Sequence, residues 1–592
     1  MFANSVFICE HRSQFNSEVN MYDVVIRGGK VVDGTGRPAF TADIAISNGV
    51  IAEVGRVGRG HREIDADGLL VTPGFVDIHT HYDGQVTWDA LLSPSCFHGV
   101  TSVMMGNCGV GFAPVKSDKH SWLIGLMEGV EDIPGAALHE GIQWGWETFD
   151  EYMDALGSLR RKIDFAAQIP HGALRGYVMG ERGAANEDAT GDDIELMSEF
   201  VRRALEAGAL GFSTSRTSLH KAISGRPVPG TFAAREELFG IAQALKKTGK
   251  GVFQVACQHE DVPAEIKWMT DLSLDTGRPV MFNLSQIYQD PGLWKKGLAG
   301  LEEAHRQGAE VYAQVAGRAI GVVMGWRLTA NPFSLKPSYL QIMHKPHEEK
   351  MAMLRNSDFK QRLLSEPSLK MGEFEQFITS TYTNMYPMNS GSDYEPDQGQ
   401  SIEAMATREG ASVEEVAYRL LMESEGDGNL YFPLFNYANN DLEVLHELHQ
   451  HPLTRMGLSD AGAHCGAVCD GGMPTFMVTH WTRDRTRGER LPLEYIIRRQ
   501  TSETAASVGL MDRGILAPGY MADVNVIDYD NLAIGKPEVV YDLPAGGRRL
   551  LQGATGYRYT LKKGHVTIEN DTATEALPGG LIRGAQQAPT SA

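Results

Sequence analysis

Cysteine is scarce in this chain: six residues, Cys9, Cys96, Cys108, Cys257, Cys465 and Cys469, among 592. That density excludes a disulfide-built scaffold and suits a reducing compartment, so the expected location is the cytoplasm. Cys465 and Cys469 have the spacing of half a metal knuckle, but no second pair stands near them. Long apolar runs are missing too. No stretch approaches the roughly 20 residues that span a bilayer, so no membrane partner is expected. Runs of basic residues are also absent, and the formal net charge of -21 argues against a nucleic-acid partner, because phosphate tracking needs a basic surface. The first twenty residues carry Glu10, His11, Arg12, Gln14 and Glu18 without the apolar core of a secretion signal. Met21 opens the first strand pattern, and residues 1–20 read as a disordered extension or a misplaced start.

What the chain does have is a hydrophobic fraction of 42% and 65 glycines, the make-up of a large globular enzyme with many turns. Residues 21–70 and 513–570 are both built of short alternating runs around glycine turns, which predicts hairpins. Two β-rich ends around an α/β centre can meet as one small β-sandwich. The tail at 571–592, rich in Ala, Pro, Gly and Thr, reads as disordered.

The centre, residues 71–512, alternates helix patterns with apolar runs that often follow a glycine. Strand ends are expected near 76–79, 100–105, 163–169, 209–213, 251–256, 279–285, 309–315 and 456–460. Eight such strands in alternation predict an α/β fold of the (β/α)8 TIM-like barrel type. About 140 residues separate the last two of them, far more than an ordinary connection. The aromatic-rich part at about 320–450 is expected to pack as an insertion, or lid, over the barrel mouth.

Chemistry concentrates at the predicted strand ends. His79 and His81 close the first apolar run, and two imidazoles at i and i+2 project from one face of an extended backbone, where they can grip one ion. Cys108 follows the second strand, His171 the third, and Asp460 ends the eighth. Two imidazoles, a thiolate and a carboxylate make a plausible shell for a zinc-like ion. Asp460 is the expected catalytic residue, with one oxygen toward the metal and the other relaying a proton from water to the leaving group.

The segments Gly74-Phe75-Val76-Asp77-Ile78-His79-Thr80-His81, Gly106-Asn107-Cys108-Gly109, Ala209-Leu210-Gly211-Phe212-Ser213-Thr214, Ser459-Asp460-Ala461-Gly462 and Ala517-Pro518-Gly519-Tyr520-Met521-Ala522-Asp523-Val524 together resemble the amidohydrolase superfamily, within it the D-aminoacylase branch. The resemblance covers about residues 22–568. It implies a zinc-dependent amide hydrolase on a distorted barrel with an attached β-sandwich, in which His79, His81, Cys108 and Asp460 surround the metal. Cys108 would take the bridging role that a carboxylated lysine plays in many relatives.

The chain departs from that pattern where the family carries one histidine after the fifth strand and one after the sixth. Ala256 and Gln286 stand at those positions. One zinc ion is therefore expected rather than two, with His259 and His220 as the available substitutes. The resemblance implies hydrolysis of a carbon–nitrogen bond outside peptides, foremost by an N-acyl-D-amino-acid deacylase. The alternatives are a cyclic-amide hydrolase of hydantoinase or dihydroorotase type and a non-catalytic binding protein on a decayed barrel. The expected partner is a small N-acyl amino acid or related amide, and the reading leaves room for a homo-oligomer. Its carboxylate suits a guanidinium, for which Arg175, Arg216 and Arg318 each follow a predicted strand. His171 and Tyr312 are the remaining substrate-binding candidates, as orienting or carbonyl-polarising groups.

Overall fold

The computed structural model describes residues 21–388 and 393–590. The expected extension at 1–20 lies outside the described residues. Eight parallel strands follow one another in chain order: Phe75–Asp77, Val100–Met105, Asp164–Ala167 continued by Ile169–Pro170, Gly211–Ser215, Val252–Ala256, Val280–Asn283, Val311–Val315 and Thr454–Met456. Each is hydrogen-bonded in parallel to the next, the third passing its pairing across a break at Gln168. The helices between them end where the chain supplies a left-handed glycine. Gly249 stops Arg235–Thr248 and Gly277 stops Val262–Thr276, each just before a strand.

Val76, Met104, Ala166, Leu210, Val252 and Met281, from six successive strand regions, meet in a single apolar cluster with Ala505 and Val508 beneath. Such a cluster requires the sheet to curl on itself. Past the eighth strand, the Asp460 N–H donates to the His79 carbonyl at 3.3 Å, and the His81 N–H donates to Ala461 at 2.9 Å. The first and last strands are therefore laced together at the end where the chemistry was expected.

The two chain ends join in one continuous nine-stranded sheet. Its seam is Leu70–Pro73, which pairs parallel with Tyr22–Val31 on one edge and antiparallel with Val524–Ile527 on the other. Val24, Ile26, Ile44, Val524, Val526 and Leu561 fill the core of this sheet. A buried ionic cluster ties it to the parallel strands: Asp164 meets Lys562 at 2.6 Å, Arg513 at 2.9 Å and Lys563 at 3.0 Å.

The expectation of a disordered tail fails for residues 571–590. The Phe165 N–H donates to Gly580 and the Ile582 N–H donates back to Phe165, while Gln586 pairs with Gly509. Composition misjudges this segment because backbone hydrogen bonds and one buried anchor, Ile582, hold it.

Between the seventh and eighth strands, Ile320–Met324, Tyr386–Pro387 and Leu430–Phe435 form an antiparallel sheet of three strands. Helices pack on it around a separate core containing Trp326, Phe333, Tyr339, Phe359 and Tyr418. The aromatic content of the segment thus becomes a subdomain interior. Among the described residues, no helix is long and apolar enough to cross a membrane.

Candidate metal centre

Thr80 points away from the centre, its N–H and hydroxyl both donating to the Met104 carbonyl, so that its two histidine neighbours face the same way. Cys108 arrives through a tight turn. Asn107 donates to the carbonyls of Thr80 and Met104, the Cys108 N–H donates to Gln254 Oε1 at 2.9 Å, and Cys108 itself adopts φ +57°. Gly109 is required next to it, because a Cβ there would lie 2.8 Å from the Ser215 nitrogen. Asp460 also sits in the left-handed region, at φ +47°. Strained backbone at two converging side chains marks a functional site.

The geometry is that of a cation-binding cluster. His79 Nε2 lies 3.3 Å from Cys108 Sγ and 3.4 Å from Asp460 Oδ1, and His81 Nε2 lies 3.6 Å from the same oxygen. The donor atoms of His79, His81 and Cys108 all fall within 4.8 Å of one another, and all three residues are buried. The far side of each ring has a partner of its own: Gln314 Oε1 at 2.6 Å from His79 Nδ1, and Glu131 Oε1 at 3.3 Å from His81 Nδ1. His79 Nδ1 donates to Gln314 Oε1, which leaves its Nε2 lone pair turned to the centre, as in metal-binding histidines, whereas His81 Nδ1 has a charged neighbour in Glu131 but no hydrogen-bond partner.

Electrostatics agree with this reading for His79 and Asp460, whereas His81 and Cys108 must each give up a proton to bind an ion. Burial disfavours a charged His81, but Glu131 and Asp460 outweigh it and hold the imidazole well above its ordinary value. Burial lowers His79 to about 4, leaving a neutral imidazole at pH 7. Burial raises the Cys108 thiol to about 11, although His81 pulls the other way. Burial also disfavours ionised Asp460, but His81 and His79 outweigh it and hold the carboxyl well below its usual range. Two buried imidazoles and a buried thiol beside a partly exposed carboxylate, with no lysine or arginine among them, fit a divalent ion of the zinc type.

A match to the amidohydrolase family spans residues 62–568. The chain belongs to this family. The amidohydrolase is 25% identical over 523 residues to the D-aminoacylase of Alcaligenes xylosoxydans xylosoxydans, covering 86% of this chain and 89% of that one. Its fold is similar to a D-aminoacylase with a binuclear metal centre, at 22% identity and a TM-score of 0.63, over 95% of this chain and 100% of that chain. The zinc- and phosphonate-bound N-acyl-D-glutamate deacylase of Bordetella bronchiseptica is similar to the same degree, at 23% identity, a TM-score of 0.63 and the same coverage. The protein is thus an amidohydrolase that resembles the D-aminoacylases, a hydrolase of carbon–nitrogen bonds other than peptide bonds.

In this amidohydrolase neither departure from the family pattern offers a ligand. Ala256 is buried in its strand. Gln286 is taken up by the insertion: its Oε1 accepts from the Ala438 N–H, and its Nε2 donates to Pro291. His259 packs its ring 5.2 Å from that of Phe435. His220 bonds Ser215 Oγ at 3.1 Å and feels the charges of His81 and Asp460. Neither joins the grouped donors of His79, His81 and Cys108.

The substrate-facing expectations are largely corrected. His171 is sealed in, its ring bridging Thr214 at 2.9 Å and Glu237 at 2.8 Å. Arg175 lies 3.5 Å from the same Glu237 and donates to the Glu187 carbonyl. Tyr312 faces the apolar layer under the site, with Arg455 stacked 4.2 Å from its ring. Arg318 is buried, pairs with Asp470 at 3.1 Å, donates to the Cys469 carbonyl and lies 3.5 Å from the Tyr394 ring centre. Arg216 donates to the carbonyls of Thr231 and Ala233. A guanidinium after a strand had neighbours to satisfy that local sequence does not reveal.

Gln314 and Glu131 went unrecognised. Gln314 carried a signal, since it is a polar residue on an otherwise apolar inner strand, two positions past Tyr312 on the same face. Glu131 carried none. It ends the helix His120–Glu131, outside any strand, and reaches His81 only through the fold.

Proposed function

We propose that this amidohydrolase is an N-acyl-D-amino-acid deacylase, or a close relative, that works with one zinc ion. Its curled parallel sheet is read as a closed (β/α)8 barrel, and the insertion as a lid over the mouth. The observation that carries the proposal is the convergence of His79 Nε2, His81 Nε2, Cys108 Sγ and Asp460 Oδ1, while Ala256 and Gln286 leave the second set of family ligands without donors.

These four residues would hold a divalent ion, and its Lewis acidity, when bound, would polarise the amide carbonyl and lower the pKa of water toward neutrality. The chain's own groups do the rest. Gln314 holds the His79 imidazole in one tautomer and orientation, and the Glu131 charge lies 3.3 Å behind His81. Asp460, with Oδ1 turned to both imidazoles, uses its carboxylate to take a proton from the attacking water and pass it to the nitrogen of the departing amine. The carbon–nitrogen bond breaks, the acyl group leaves as a carboxylic acid and the amino acid is freed. A thiol ligand of this kind must stay reduced, which favours the cytoplasm.

The test is metal content per purified chain, followed by hydrolysis of N-acetyl amino acids of both hands beside a hydantoin panel. One zinc per chain and turnover of D-substrates is expected. Turnover of hydantoins alone would move the assignment to ring opening. Absence of bound metal and of activity after zinc addition would refute catalysis.

A further inference from the structure

Cys108 reaches the metal centre on a four-residue turn, Gly106 to Gly109, in a conformation that must be held in place. Cys108 itself, at φ +57°, occupies the left-handed region that a side chain disfavours. Such backbone persists only where its surroundings over-determine it. Here the surroundings are three consecutive parallel strands, each of which commits one polar side chain to the turn. Gln168, at the break in the third strand, donates from Nε2 to Asn107 Oδ1 at 2.9 Å. Ser213 of the fourth accepts from the Gly109 N–H at 3.0 Å and donates to the Gly106 carbonyl. Gln254 of the fifth accepts from the Cys108 N–H at 2.9 Å.

These amides are costly where they stand. Gln168 and Gln254 are both wholly buried, in strands of a kind that ordinarily read as continuous apolar runs. Val252, two residues before Gln254 on the same strand face, belongs to the apolar layer below. Gln254 Nε2 and Gln168 Oε1 have no hydrogen-bond partner, so each amide is left half unsatisfied in the interior. A methionine would fill nearly the same volume without that penalty. The satisfied half of each amide goes to the turn. Gln254 grips the cysteine itself, and Gln168 grips the asparagine that donates to the carbonyls of Thr80 and Met104. Thr80 separates His79 from His81, so one network sets the cysteine against both histidines.

Resting on the one-zinc reading above, we propose that Gln254, assisted by Gln168, is a positioning residue that seats the Cys108 thiol for the ion. A cysteine shared between two ions is located by two bonds from its sulfur. With Ala256 and Gln286 at the second set of family positions, one such bond remains, and the protein supplies the missing constraint. Gln254 stands two residues before Ala256 on the same face, so the strand that lacks a ligand supports the cysteine instead. A sulfur seated in advance lowers the ordering cost of binding and so raises metal affinity.

The test is a double-mutant cycle on metal affinity. Zinc dissociation constants from chelator competition are compared for wild type, Gln254→Met, Cys108→Ser and the double variant, with folding checked by circular dichroism and thermal unfolding. Gln254→Met is expected to weaken zinc binding roughly tenfold or more, as loss of a supporting partner does at metal sites. In the Cys108→Ser background the same change costs less than about twofold, because the residue it acts through is gone. The near-ultraviolet sulfur-to-cobalt band of the cobalt-loaded protein weakens or shifts in Gln254→Met and, to a smaller extent, in Gln168→Met. If methionine is not accommodated, Gln254→Asn, which keeps the amide but shortens its reach, takes its place in the cycle. Equal losses in both backgrounds overturn the positioning role. So does unchanged zinc affinity in Gln254→Met, or a cobalt band identical to that of the wild type. A wild type that binds neither zinc nor cobalt refutes the metal reading itself, and this proposal falls with it.

Discussion

Replacing Glu131 by glutamine removes one charge from the far side of the metal centre while keeping shape. The carboxylate lies 3.3 Å from His81 Nδ1 and 3.6 Å from His464 Nε2, and both it and His81 are buried to within 2% of full coverage. The contact is electrostatic rather than a hydrogen bond, and the Glu131 charge raises the basicity of His81. Loss of an outer partner of a metal-binding histidine costs roughly tenfold to a hundredfold in metal affinity, and that is the fall expected here. Zinc affinity of the variant, measured by competition against a chelator, provides the first readout. The visible absorption of the cobalt-loaded protein provides the second, since its band shape reports ligand geometry rather than stability. Glu131→Asp, which restores the charge on a shorter stem, should recover part of the loss. Wild-type affinity and an unchanged cobalt spectrum in Glu131→Gln would refute the idea that Glu131 positions His81.

Asp460→Asn keeps the size of the side chain but not its capacity to carry a proton, so turnover should drop by about 10²–10⁴, and an assay showing full turnover would remove the proposed proton relay. Asp164→Asn should cost about 3–5 kcal/mol at pH 7 in denaturant titration, because Lys562, Lys563 and Arg513 stay behind without their anion. These cations overcome burial and hold the Asp164 carboxyl well below its ordinary value, so its contribution is present above the unfolded carboxylate pKa and is lost as pH falls through the folded one. The difference between wild type and variant should therefore shrink in acid, and a pH-independent difference would contradict the assignment. Trp326→Ala should destabilise the insertion by about 3–5 kcal/mol, read as proteolysis within residues 320–450 before the rest of the chain is cut; simultaneous cleavage throughout would show that the insertion has no stability of its own.

The parallel strands were legible because a buried strand leaves a local trace: a glycine that stops a helix, then a short apolar run such as Val252–Ala256. His79 and His81 were legible for a related reason, since alternation along an extended backbone assigns both to one face without reference to the rest of the molecule. The substrate-facing arginines were not. Arg175, Arg216 and Arg318 follow strands as expected, but Glu237, Thr231 and Asp470, which occupy them, come from other elements.

The tail beyond 570 shows the same limit from the other direction. Its residues have little to say by themselves, and the open edges near Phe165 and Gly509 decide their conformation.

Sequence alone determined the class of the protein, the donor types at its metal centre and the absence of histidine at 256 and 286, because each is written in residue identity and short-range period. Tertiary structure decided which nitrogen of each imidazole turns toward Asp460, that Gln314 and Glu131 stand behind the two rings, and that a cavity at the strand ends is largely apolar with neither lysine nor arginine in its wall. Those properties depend on distances between residues as far apart in the chain as His79 and Gln314, and only folding creates such distances.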